Sequence, residues 1–220
     1  MGKSDDEMIR DLALALKDGY KVETEYGAVT LRHRAVGDLI VTSGSVVACD
    51  PVLIEEEPQP FEQRLEPRHY PVVLRIAAFP DGDQRVAYAT LRVRESQPVR
   101  WGIARLVEGD TETEDDEYVW SYSVESGTGC FMDADVVRAL LRQLDDEPAY
   151  AKMINQAISA AYVNTWGWAN VSLEPEIASN IVAFSTGLGD GAYLTYLGYD
   201  ANNVPVCFTT DFALIDIGLD

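Results

Sequence analysis

Four aspartates stand where the chain changes direction: Asp50 before Pro51, Asp133 before an apolar helical pattern, Asp190 between two glycines, and Asp211 before Phe212. Carboxylates gathered from such boundaries make a hard oxygen site, and the cations that suit it are Mg²⁺ or Ca²⁺. A metal held that way activates water, which is hydrolase chemistry. Each aspartate also has a local role open to it, capping a helix or closing a turn through nearby backbone amides. Separations this long along the chain leave both readings open. Cys130 offers a different chemistry. It lies in Gly127-Thr128-Gly129-Cys130-Phe131-Met132-Asp133, at a strand-to-helix junction where a helix N-terminus lowers a thiol pKa. A thiolate nucleophile needs a base, and the chain has two histidines, His33 and His69. The plainer role for Cys130 is a buried structural thiol. The catalytic candidates are therefore Asp133, Asp190 and Cys130, and the metal candidates are Asp50, Asp133, Asp190 and Asp211.

Asp190 belongs to the stretch around which the chain is organised, residues 187–212. Gly187, Gly189 and Gly191 allow a tight turn, because glycine takes positive φ without a Cβ clash. Alternating residues 192–197, a turn at 200–203 and a return strand over 204–212 follow, as in a hairpin. The loop is no nucleotide cradle. It lacks the lysine of GxxxxGK[ST], does not meet GxGxxG before a helix, and sets a carboxylate where a phosphate would sit. The preferred role for Asp190 is structural: its side chain accepts from amides one or two residues on and pins the start of the Tyr193 strand.

The elements that must position these groups are mostly strands. The pattern predicts strands at residues 28–34, 39–42, 45–49, 70–79, 85–94, 99–107 and 180–185, and Tyr118, Trp120, Tyr122 and Val124 share one face of another. The proline-rich residues 55–68 form a loop. Helices are predicted at 5–17 behind a Ser4–Glu7 capping box, at 135–144 with Asp133 as N-cap, and at 148–163. The acidic run at 109–117 is a solvated loop, or else a contact for a cation or a basic partner. Together these define one domain over residues 1–220, with a helical segment near 134–163. Its class is α+β: a strand-rich, mainly antiparallel sheet or sandwich with two or three packed helices.

Charge narrows the partners. Thirty-seven acidic residues against 17 basic ones give a net charge of −20, which repels nucleic acid and anionic membranes alike. No apolar run approaches the roughly 20 residues of a membrane span. The opening MGKSDDE is too acidic for a signal peptide, and the odd count of three cysteines, Cys49, Cys130 and Cys207, has no metal-ligand spacing. Free thiols in a reducing cytoplasm are the expectation.

An ordered set of motifs resembles a bacterial family, domain of unknown function 4241. The residues that carry the likeness are Cys49-Asp50-Pro51, Tyr70-Pro71-Val72, Val86-Ala87, Trp101, and Gly127-Thr128-Gly129-Cys130-Phe131 with Asp133. Gly189-Asp190-Gly191 with Tyr193, Gly198 and Asp211-Phe212 complete it, so that it covers roughly residues 41–215. The family has no established activity, so the resemblance implies no catalytic residue and no substrate. The functional expectation is a non-enzymatic acidic binding protein of the bacterial cytoplasm, such as an immunity-type inhibitor of a basic protein partner. The alternative is a hydrolase, either metal-dependent through the aspartates or using Cys130 as nucleophile.

Overall fold

A computed structural model of the chain describes residues 12–13, 16–24, 27–54, 57–107, 121–142, 149–173 and 178–215. The helix expected at 5–17 falls mostly outside them, although Leu12 and Ala13 are helical. The acidic run at 109–117, with Tyr118 and Trp120, also lies outside the described residues.

In chain order the first strands are β1 (Tyr20–Thr24), β2 (Gly27–Val41), β3 (Val46–Cys49), β4 (Arg68–Ala78), β5 (Gln84–Arg92) and β6 (Arg100–Ile103). Next come β7 (Ser121–Val124), β8 (Thr128–Asp133) and the helices α1 (Ala134–Leu141) and α2 (Ala149–Ala160). The chain then adds β9 (Trp168–Ser172), β10 (Asn180–Ser185), β11 (Gly191–Tyr199) and β12 (Pro205–Asp211). These strands make two antiparallel sheets. The larger runs β1-β2-β4-β5-β12-β11-β6, with β7 also paired to β11, and the smaller runs β3-β8-β10-β9.

Alternation along the strands decides what each face meets. Tyr70, Val72, Leu74 and Ile76 of β4 enter a core shared with Val46 of β3, Phe131 of β8 and Phe184 of β10. Phe61 stacks on Phe208 there with ring centroids 4.9 Å apart. The opposite face of the smaller sheet, with Val47, Cys130, Met132 and Ile181, is covered by Val136, Val137 and Leu140 of α1 and by Tyr150 and Ile154 of α2. These helical stripes are the ones the sequence predicts as core-facing. The outer face of the larger sheet carries Leu31, Tyr88, Trp101 and Tyr196, packed with Leu12 and Ile215. The protein is thus strand-rich α+β, as its pattern predicts.

Two local differences have clear causes. The strands expected at 28–34 and 39–42 are one strand, β2, whose register slips between Ala35 and Gly37. Gly37 reads as punctuation but forms a bulge inside the strand. Its φ is +105°, and a Cβ there would lie 2.5 Å from Asn170 Nδ2. The helices are shorter than the apolar stripes suggest. α1 ends with Arg142 as C-cap and α2 at Ala160, just before a turn in which Asn164 has φ +55°.

Candidate functional site

Asp50 follows β3 directly, and Pro51 favours the extended backbone that delivers it there. It is 6% exposed and accepts five hydrogen bonds. One carboxylate oxygen takes the amides of Val52 at 2.9 Å and Leu53 at 3.3 Å, together with the Ser126 hydroxyl at 2.8 Å. The other takes the amides of Glu125 at 3.0 Å and Ser126 at 2.8 Å. One side chain thus closes its own turn and ties it to the β7–β8 turn. Buried amides without such an acceptor are costly, so this carboxylate is a structural rivet.

Asp133 does the same work at the other end of the β3–β8 pair. It is fully buried, and Oδ1 accepts the Asp135 amide at 2.8 Å as the N-cap of α1. Oδ2 accepts the amides of Thr42 and Ser43, at 2.8 and 2.9 Å, from the turn after β2. Register pairs Cys49 with Cys130 and Val46 with Asp133, so Asp50 and Asp133 sit about 13 Å apart along the strands. Asp211 lies on the larger sheet opposite Leu194 and Tyr88, and its Oδ1 accepts the Ala213 amide at 2.9 Å. The structure does not draw the metal candidates together. No group of three or more His, Cys, Asp or Glu side chains among the described residues is placed to hold a metal ion.

The glycine loop corrects the role expected of Asp190. Its side chain is exposed and accepts no amide among the described residues. The Gly189 carbonyl is the pinned group instead: Thr186 Oγ1 donates to it at 2.7 Å and Tyr193 Oη at 2.8 Å. The Gly189 amide in turn donates to the Thr186 carbonyl at 2.6 Å. Gly189 has φ +122°, a conformation that L side chains rarely adopt. The turn is therefore held by glycine geometry and two hydroxyls, with Asp190 facing solvent.

Cys130 is fully buried on the helix-covered face of the smaller sheet, its Sγ 3.9 Å from that of Cys49. All three cysteines are free thiols. Burial pushes the Cys130 thiol well up from its ordinary value, and the Cys49 thiol beside it adds to the effect. That is the reverse of what activates a nucleophile. His33 and His69 are exposed on the larger sheet, away from it. Cys207, between Arg92 and Gly198 in the sheet register, is pushed up to about 12 by burial.

Sequence reading missed two arrangements. Asn180 is a third buried rivet. Its Oδ1 accepts the Ile40 amide at 2.7 Å, and its Nδ2 donates to the Asp38 carbonyl at 2.8 Å and to Asn170 Oδ1 at 2.6 Å. The other is a group of arginines on the outer face of the larger sheet. His33 opposes Arg75 across β2 and β4, while Arg92 lies on β5 opposite Cys207. Nothing in the linear spacing of residues 33, 75 and 92 signals this; strand register alone assembles it.

Two antiparallel sheets around a common core, two helices on one flank and carboxylates saturated by backbone amides define a strand-rich α+β protein with buried polar rivets. Residues 39–210 match the family described as Protein of unknown function (DUF4241), and the chain belongs to that family. Neither a curated protein nor a solved structure matches the chain.

Proposed function

We propose that this chain is a non-catalytic binding protein of the bacterial cytoplasm that presents an acidic surface to a basic protein partner, in the manner of an immunity-type inhibitor. The observation that carries this reading is the state of the buried acids. Asp50 and Asp133 have both oxygens of their carboxylates committed to amides that need them. Among the described residues, Glu23, Asp38, Glu62, Glu66, Asp81 and Glu125 are exposed at the surface. A surface of one sign raises the encounter rate with a partner of the other and disfavours nucleic acid. A hydrolase built on the aspartates or on Cys130 finds no support in the geometry of those groups.

The test is capture of a partner on the immobilised protein from its source cells, followed by binding kinetics across a salt series. A basic protein should be retained at low salt, with an association rate that falls steeply as ionic strength rises. Capture that ignores salt, or a turnover activity lost in a folded Asp50→Asn variant, would overturn the proposal.

A further inference from the structure

We propose that the outer face of the larger sheet carries a binding site for a small oxyanion, a phosphate- or carboxylate-bearing molecule, held by Arg75, Arg92 and Arg94 with His33 beside them. This site stands apart from the proposed protein-binding role and does not depend on it. The four groups line a cavity of about 200 Å³ whose floor includes Val73, Thr90 and Cys207. A neighbouring cavity of about 390 Å³ shares Arg92 and Arg94 and adds Arg68 and His69. In a protein of net charge −20, four arginines and two histidines therefore line these two adjoining cavities.

The groups are positioned as well as gathered. Arg75 is 6% exposed, and its Nη2 donates to the Leu16 carbonyl at 2.6 Å, which fixes the guanidinium at the cavity wall. Burial lowers the pKa of Arg75. His33 is lowered too, by burial first and then by the Arg75 charge; Arg92 adds to this and Asp18 opposes it. An anion in the hollow would relieve that crowding of positive charge. Among the described residues, two carboxylates face the site. Asp18 accepts the His33 amide at 2.7 Å, and Glu95, whose side chain is 96% exposed, meets Arg92 at 3.3 Å. An ion pair that open to water is weak and yields readily to a ligand. Guanidinium forks match the paired oxygens of carboxylate and phosphate, and about 200 Å³ is below the usual span of drug-sized pockets, so a compact ligand fits.

Calorimetric titration of the full chain with inorganic phosphate, and separately with succinate, tests this in chloride buffer at constant ionic strength. Saturable binding of at least one anion is expected. Arg92→Gln and the more exposed Arg94→Gln, each confirmed folded by its melting curve, should each weaken it by about tenfold. Saturating ligand should also raise the His33 pKa, read from its imidazole resonances. Binding of phosphate alone assigns the phosphate-bearing class, and of succinate alone the carboxylate-bearing class. No saturable binding of either anion, or binding undiminished in both variants, overturns the proposal.

Discussion

The ends of the β3–β8 pair and the outer face of the larger sheet treat charge in opposite ways. At the first, Asp50 and Asp133 are taken out of water and every oxygen meets a donor fixed in the backbone. At the second, Arg75, Arg92 and Arg94 approach one another around a cavity, with Asp18 and Glu95 near its edge. Burial costs a charged group dearly unless hydrogen bonds replace its water. The aspartates recover that cost from their own chain, so their charge serves folding. The arginines line an open cavity instead, where the proposed anion would meet them. In a strongly acidic protein, two buried acids brace the fold, and three arginines line the cavity.

The contrast breaks if the buried acids prove dispensable. Asp50→Ala removes the acceptor for four amides and the Ser126 hydroxyl, and should cost about 3–4 kcal/mol in urea unfolding. Asp50→Asn keeps one acceptor oxygen but turns donors toward donors at the other, so about 2 kcal/mol is expected. Asp133→Ala loses a helix cap and the acceptor for Thr42 and Ser43, at about 2–3 kcal/mol. Near-wild-type midpoints for all three would show that these carboxylates are not the fold's rivets.

The division between what the sequence discloses and what it hides follows interaction range. Asp133 could be read as an N-cap because its partner Asp135 is two residues away. Asp200 closing the β11–β12 turn is equally local: its Oδ1 accepts the amides of Asn202 and Val204. Most of the strands, the two core-facing helical stripes and the hairpin after the glycine loop were legible for the same reason, since periodicity is a local property, whereas β1, β8 and β9 carry too little alternation to be read. The Asp50 tie to Ser126 and the Asn180 tie to Ile40 span many residues and leave no pattern. The arginine group depends on register across strands, which apolar alternation constrains but does not number. Asp190 misled because a carboxylate flanked by glycines is a common turn signature, while the groups that hold this turn are the hydroxyls of Thr186 and Tyr193.

A smaller effect probes the arginine side of the comparison. His33 has its pKa lowered from 6.5, by burial and then by Arg75, so below that value the unfolded chain binds the proton more readily than the folded one. Stability therefore rises with pH through this window. The contribution is full above pH 6.5 and is lost as pH falls through the lowered folded-state value. His33→Asn should remove this component, so that the wild type loses melting temperature faster than the variant as the solution is acidified. The side chain is largely open to water, so the difference should be slight and should shrink further in high salt. Parallel pH profiles for the two proteins would mean that the outer-face charges do not reach His33.

The smallest expected effect belongs to Asp190, and its smallness is informative. An aspartate that caps a buried turn should be missed when it is removed; this one is exposed and accepts no amide among the described residues. Asp190→Ala and Asp190→Asn should therefore both lie within about 0.5 kcal/mol of the wild type. Tyr193→Phe, which deletes the hydroxyl on the Gly189 carbonyl, should cost about 1 kcal/mol and so locate the stabilising group. The same melts repeated with Mg²⁺ or Ca²⁺ test the remaining chemical role. A ligand that binds only the folded state raises its melting temperature, so an ion held by Asp190 would stabilise the wild type and neither Asp190 variant. Equal melting of all three with and without the ions is the expected result. It would leave the glycines and the two hydroxyls as the reason the loop has its shape, and Asp190 as one more charge on the acidic surface.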